Sequence, residues 1–236
     1  MPAASPPRRV GFDRPLTTNQ VASWIGNAFA TGLFYGLVAT VLLVPRRRCD
    51  EGTLAVLVIP HAVCVVVGLV NWLFLETHPP TQPSCFSALL PDSARWTKTR
   101  YCREHKDVIV GLDHFCTWLN VSVGRTNYVP FFLVAMFGTL QYALAAAACA
   151  YVVATCRRGL GALVLALFGL CGAMGLLICL AYLSLFLFHS YLACLGMGTY
   201  DWIIAQRAEP KAKSVELKAA ANARVSADET EEEARA

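Results

Sequence analysis

The chain has 236 residues, of which 56% are apolar and only 15% charged, with a mean hydropathy of +0.48; a soluble domain carries about 25% charged residues. Thirteen of the 36 charged residues fall in the last 30, from Arg207 onward, so the first 206 cannot solvate a globule of that size. The net charge of +4 is small and its basic residues are dispersed, which gives no footing for nucleic acid. The composition is that of a polytopic membrane protein.

Arg8, Arg9 and Arg14 precede the first apolar run, Trp24–Val44. That run is too long for a signal-peptide core and reads as a first span. It ends at Pro45 and Arg46-Arg47-Arg48. A second uncharged run, Thr53–Leu75, contains His61 and Asn71, and a third, Pro130–Thr155, contains Gln141. Gly159–Thr199 is uncharged throughout. It reads as one long span followed by an interfacial segment, because Phe188-His189-Ser190-Tyr191 and Gly196-Met197-Gly198 place polar and helix-weakening residues where a span would exit. Each run supplies the roughly 20 residues that cross a hydrocarbon core of about 30 Å. The spans carry no Asp, Glu, Lys or Arg, so a transporter or channel lacks its usual marks. His61, Asn71 and Gln141 are expected to bond neighbouring helices, and Ala143, Ala145–Ala148, Gly172 and Gly175 to let helices pack closely. Cys64, Cys149, Cys171, Cys179 and Cys194 lie in apolar runs and act as small hydrophobes. Cys49, Cys85, Cys102, Cys116 and Cys156 show no pairing pattern.

The expected architecture is an all-α integral membrane protein: four transmembrane helices with a small irregular cytosolic, cysteine-rich-like domain between the second and third. Its parts are a cytosolic N-terminus (1–23), two helices (24–75), a polar domain (76–129), two more helices (130–198) and a cytosolic tail (199–236). The three segments on the domain's face hold 15 of the 20 Lys and Arg residues, which makes that face cytosolic by the positive-inside rule, although Arg46–Arg48 point the other way. The domain opens with three prolines, Pro79, Pro80 and Pro83, that stop the preceding helix. The tail, rich in Ala, Lys and Glu and ending in Asp228–Glu233, reads as a frayed helix or disorder. There is no internal repeat and no Gly-rich phosphate loop.

The residues that can carry chemistry crowd into the polar domain. Asp113-His114-Phe115-Cys116 is followed by Trp118, Asn120, Gly124, Asn127 and Tyr128. Cysteine is a nucleophile as its thiolate and needs a base or a positive environment beside it. A histidine two residues away is expected to reach it through a turn of the backbone. An aspartate beside that histidine fixes its tautomer and stabilises its charged form.

The stretch Tyr101–Tyr128 resembles the cysteine-rich domain of DHHC-type protein S-acyltransferases (palmitoyltransferases). It follows that family's pattern without a gap through Cys102, Asp113, His114, Cys116, Trp118, Asn120, Gly124, Asn127 and Tyr128. The family also has four spans, with this domain on the cytosolic side between the second and third. After its last span comes Thr-Thr-x-Glu, where this chain has Gly198-Thr199-Tyr200-Asp201. The resemblance implies a two-step transfer. Cys116, deprotonated by His114 with Asp113 behind it, would attack a long-chain acyl-CoA, and the acyl group would pass to a cysteine of a protein at the cytosolic face. Trp118 would lie beside the acyl thioester, Asn120 would belong to the supporting set, Thr199 would support the catalytic Asp, and Asp201 would stand for the family's Glu.

The family holds its domain with two zincs. Here Phe115 stands where a His ligand belongs, Ser122, Val108 and an absent upstream pair where Cys ligands belong, and Tyr101 where His belongs. Cys102, with His105 as a possible substitute, is a weak remnant of one site, so zinc is expected to be absent or weak and no cofactor tightly bound. Packing would fall to Phe86, Leu89, Leu90, Trp96, Tyr101, Val108, Ile109, Leu112, Phe115 and Trp118, with Phe115 plugging the vacated space. The partners implied are acyl-CoA, cysteine-bearing protein substrates and membrane lipid. The location is an endomembrane (Golgi or endoplasmic reticulum) or the plasma membrane, with cytosolic termini. A second reading, a catalytically inactive DHHC-like binding or scaffold protein, rests on the lost metal ligands.

Overall fold

A computed structural model describes residues 7–43, 50–157 and 160–208. Arg46–Arg48, Cys49, Arg158 and the tail from 209 onward lie outside the described residues. Four helices are long and apolar enough to cross a membrane: α1 (Thr18–Leu43), α2 (Glu51–Thr77), α4 (Tyr128–Thr155) and α5 (Ala162–Cys194). Between α2 and α4 lie a 3-10 turn (Cys85–Leu89), the single-turn α3 (Ala94–Thr97), and the strands β1 (Thr99–Cys102), β2 (Asp107–Val110), β3 (His114–Cys116) and β4 (Val121–Val123). The strands form two antiparallel hairpins, β1–β2 and β3–β4. The protein is an all-α multi-pass membrane protein with a small, mostly irregular domain between its second and third spans.

Helix ends follow caps rather than hydropathy. α1 starts at Thr18 instead of Trp24 because the Thr17 hydroxyl accepts from the Gln20 N–H at 3.1 Å. Asp50 caps α2 by accepting from the Gly52 and Thr53 N–H groups. α2 also runs to Thr77, which puts Glu76 in its last turn, buried, with its carboxylate accepting from Trp24 Nε1 and Gln20 Nε2.

Phe188–Tyr191 does not interrupt the fourth helix. α5 continues unbroken to Cys194 and stops at Gly196, whose φ of +64° reverses the chain. His189 is no solvent-facing exit residue. It is buried at 2% exposure against Tyr128, whose hydroxyl lies 3.2 Å from its Nδ1. A short helix follows over 199–208.

α4 packs along both α2 and α5, while α1 rests mainly on α5. Of the polar residues in the spans, His61 bonds Tyr35 of α1 at 2.9 Å and Gln141 bonds Thr31 of α1 at 3.3 Å. Asn71 instead donates to Val67 of its own helix. Cys156, just past α4, is disulfide-bonded, contrary to the absence of a pairing pattern. A cavity of about 470 Å³ opens between α1, α2 and α4, lined by Trp24, Ala28, Gly68, Trp72, Val134 and Gly138 among others, with Tyr182 of α5 at its back. Its lining is almost wholly apolar.

Candidate active site

β3 carries the centre, and its pleat decides what meets what. In an extended strand residues i and i+2 share a face, so His114 and Cys116 point the same way without the backbone turn expected between them. β3 pairs with β4 in the register His114↔Val123, Phe115↔Ser122, Cys116↔Val121. Phe115 therefore faces away, toward the vacated metal position.

On the catalytic face His114 Nδ1 lies 2.9 Å from Asp113 Oδ2, and Cys116 is near enough to the imidazole to act on it electrostatically. Thr199 clamps Asp113 twice, its hydroxyl donating to Oδ2 at 2.6 Å and its N–H to Oδ1 at 3.0 Å. Arg95 adds a fourth donor at 3.4 Å. Its guanidinium lies 4.2 Å over Trp96 and 4.8 Å over Tyr128. Gly198 lies close under the carboxylate: a Cβ there would sit 3.1 Å from Asp113 Oδ1, a tight contact. Asp113, His114, Cys116 and Thr199 are thus brought together across 86 residues of chain.

The electrostatics agree with that geometry. Burial alone would push Asp113 up, but the hydrogen bonds from His114 and Thr199 hold it down at about 2. Burial would likewise push His114 down, yet its bond to Asp113 and the nearness of Cys116 outweigh this and raise it to about 9. The depressed carboxyl stabilises the fold above its ordinary value and loses that contribution as pH falls toward 2. The raised imidazole stabilises below its ordinary 6.5 and loses that contribution as pH rises through 9. The melting temperature of the wild type should therefore fall between pH 6.5 and 9 more steeply than that of His114→Ala. Parallel slopes in a thermal-shift series would refute the charged pair.

Asp113, His114 and His189 offer ligand atoms within 4.8 Å of one another. Their chemistry suits protons rather than a cation. Both Asp113 oxygens already hold donors, one of them a guanidinium, and His189 Nδ1 is engaged with Tyr128. His189 and Arg95 were not singled out from the sequence. A histidine inside a 41-residue uncharged run was the available signal.

The other expected site residues are placed less simply. Trp118 is 55% exposed and is not among the residues lining the cavity. Asn120 is fully buried at a φ of +56°, and its amide donates to the carbonyls of Gly11, Asp13 and Pro15. Asp201 pairs with Arg100 and, at 3.8 Å, with Lys98. The cavity approaches the nucleophile: Cys116 packs in one cluster with Trp72 and Val134, and Tyr182 is within electrostatic reach of it.

On the opposite face the former metal positions converge, filled by hydrogen bonds. Cys102 donates to Glu104 at 3.2 Å and lies 3.1 Å from the Ser122 hydroxyl. His105 Nε2 accepts from the Ser122 N–H at 3.1 Å, which leaves Nδ1 to donate to the Arg8 carbonyl at 2.8 Å. Burial raises the Cys102 thiol and lowers His105, so both favour their neutral forms. One thiol and an imidazole whose two nitrogens are both engaged do not supply the four ligands of a structural zinc. Phe115 stands 6.3 Å from the His105 ring, the plug expected there. At the second position Tyr101 and Val108 face each other across β1–β2, and both are exposed. With Leu89 and Trp118, they leave the set expected to pack the domain, while Trp96 and Ile109 are buried.

Comparison with known proteins agrees with the site. The model of the DHHC palmitoyltransferase family matches residues 92–206. "Probable protein S-acyltransferase 20" of Arabidopsis thaliana is 30% identical over 134 residues, covering 48% of this chain and 18% of that protein. "Probable protein S-acyltransferase 15" of the same plant is 35% identical over 43 residues, covering 18% of this chain and 17% of that protein. The chain thus spans less than a fifth of the length of either relative. Residues 92–206, with Asp113, His114 and Cys116 at their centre, are thus similar to the DHHC palmitoyltransferase family, and four apolar helices stand around them.

Proposed function

We propose that the protein is a protein S-acyltransferase that moves a long-chain acyl group, such as palmitoyl, from acyl-CoA to protein cysteines through an acyl-Cys116 intermediate. The carrying observation is the hydrogen-bonded set Thr199–Asp113–His114 with Cys116 on the same strand face as His114, beside an apolar cavity large enough for a fatty chain. In the first step His114, whose raised imidazole holds the proton at neutral pH, keeps the proton taken from Cys116, and the thiolate attacks the thioester carbonyl. The carbon–sulfur bond to CoA breaks, and the CoA thiolate leaves with the proton from His114. In the second step a substrate cysteine gives its proton to His114 and attacks acyl-Cys116. The acyl group moves across, and Cys116 recovers the proton. The acyl chain lies in the cavity among Trp72, Val134 and Gly138.

The domain faces the cytosol, and its protein substrates come from there. The distribution of Lys and Arg supports this. So does disulfide-bonded Cys156 at the far end of α4, since disulfides persist in the oxidising compartment. Such a chain works in an endomembrane or at the plasma membrane.

The domain folds without zinc. The engaged nitrogens of His105 and the short ligand set, with Phe115 and Ser122 where ligands would stand, support this reading. Purified protein should hold well under about one zinc per chain, and acyl loading should survive a strong chelator. Elemental analysis finding one or two tightly held zincs would overturn it. The activity itself is tested by incubating purified full-length protein with an alkyne-tagged palmitoyl-CoA. A hydroxylamine-sensitive label should appear on Cys116 by peptide mapping, and its absence would sink the proposal.

A further inference from the structure

The segment ahead of α1 is bound into the domain at the place where the metal donor set fails. The Arg8 carbonyl is the acceptor for His105 Nδ1, and the Arg8 guanidinium lies 5.9 Å over the Phe115 ring and donates to the Asn120 carbonyl at 3.3 Å. Asn120 in turn donates to Gly11 at 3.0 Å and to Asp13 and Pro15 at 3.3 Å each. The Gly11 N–H donates to the Glu76 carbonyl at 2.9 Å, tying the segment to the end of α2. Only glycine fits there, because a Cβ would sit 2.5 Å from the Leu119 carbonyl oxygen and 3.0 Å from Glu76 Cα.

These contacts join three elements of the domain. His105 sits at the tip of the β1–β2 hairpin, Phe115 and Asn120 belong to the β3–β4 hairpin, and Glu76 closes α2. Hairpins of three and four residue pairs are marginal alone. A structural zinc contributes folding energy by drawing ligands from separate hairpins together. Here a peptide segment does the drawing together. It also holds Asn120 in the left-handed conformation that ends the turn after Cys116, a conformation that persists only where its surroundings determine it.

We propose that Arg8–Thr17 is an intramolecular clasp that replaces the zinc of the domain and fixes the turn Thr117–Asn120, keeping Cys116 on His114. The consequence for catalysis rests on the acyltransfer reading, whereas the clasp itself does not. The test uses full-length protein in lipid nanodiscs without added metal, with two readouts. One is the rate at which buried Cys102 is alkylated by a maleimide, resolved by peptide mapping. The other is acyl loading of Cys116 from palmitoyl-CoA. In Gly11→Val, Cys102 alkylation should rise about tenfold and loading should fall about tenfold, with helical content unchanged, as local opening predicts. Arg8→Ala should move both readouts less in the same direction, Arg8→Lys should recover part of the loss, and Arg14→Ala should match wild type.

Cys102 staying protected in both Gly11→Val and Arg8→Ala would overturn the clasp. So would added zinc restoring protection, since the metal would then still hold the fold. If Gly11→Val does not fold, Arg8→Ala decides. If wild type never loads an acyl chain while the variants still release Cys102, the acyltransfer reading fails and the clasp stands.

Discussion

Cys116→Ser should abolish hydroxylamine-sensitive acyl labelling, while Cys102→Ser should leave it in place. The two thiols lie on one domain but on opposite faces of the short strands. Cys116 shares its face with His114 and adjoins the apolar cavity. Cys102 is 3% exposed, its thiol donates to Glu104, and burial raises it, so it has little thiolate to offer. A serine at 116 is a far weaker nucleophile at neutral pH, and any ester it formed would resist the mild hydroxylamine that cleaves thioesters. Exposed Cys85 and Cys194 provide the internal check. If they pick up label by direct reaction with acyl-CoA, that label persists in Cys116→Ser; if they receive it from Cys116, it vanishes with the substitution. Labelling of Cys116→Ser equal to wild type would end the acyl-enzyme mechanism.

The parts of this molecule legible in the sequence are those set by composition over long windows or by residues close in sequence. The four spans are visible because each is long and free of charge between its ends. The Asp113–His114–Cys116 grouping is visible because it is local, and Thr199 because it follows a family pattern. Three features were hidden for definable reasons. β3 is three residues long and gives no period-2 pattern, so its way of placing His114 beside Cys116 was not readable. The burial of His189 is hidden because a polar residue near the end of an apolar run reads as exposed. In fact His189 meets Tyr128 from another span, a pairing across 61 residues. The N-terminal segment contacts the domain largely through backbone carbonyls, which accept at Arg8, Gly11, Asp13 and Pro15 whatever their side chains. Backbone acceptors leave no mark in residue identity.

His114→Ala should lower the rate of Cys116 acylation by about 10²-fold or more, the usual scale for losing a general base. It is the sharpest probe of the relay because its neighbours would make poorer ones. Removing Asp113 would strand the Thr199 donors and the Arg95 guanidinium, whose side chain is only 7% exposed, and the resulting loss would mix folding with chemistry. Removing Thr199 would leave the Asp113–His114 bond in place and weaken it only indirectly. His114 bonds the carboxylate and lies near the nucleophile, and its side chain is 22% exposed, so truncation leaves a small space that water can reach. The neighbouring His189 is held through Nδ1 by Tyr128 on another helix, so it is not placed as His114 is, on the strand face of Cys116. The measurement is a single-turnover labelling time course at saturating palmitoyl-CoA, with imidazole added in a parallel series. A slow rate partly restored by imidazole assigns the missing function to proton transfer, since exogenous imidazole can occupy the space the side chain vacates. An undiminished rate in His114→Ala would remove His114 from the mechanism and leave the raised imidazole as a purely structural charge.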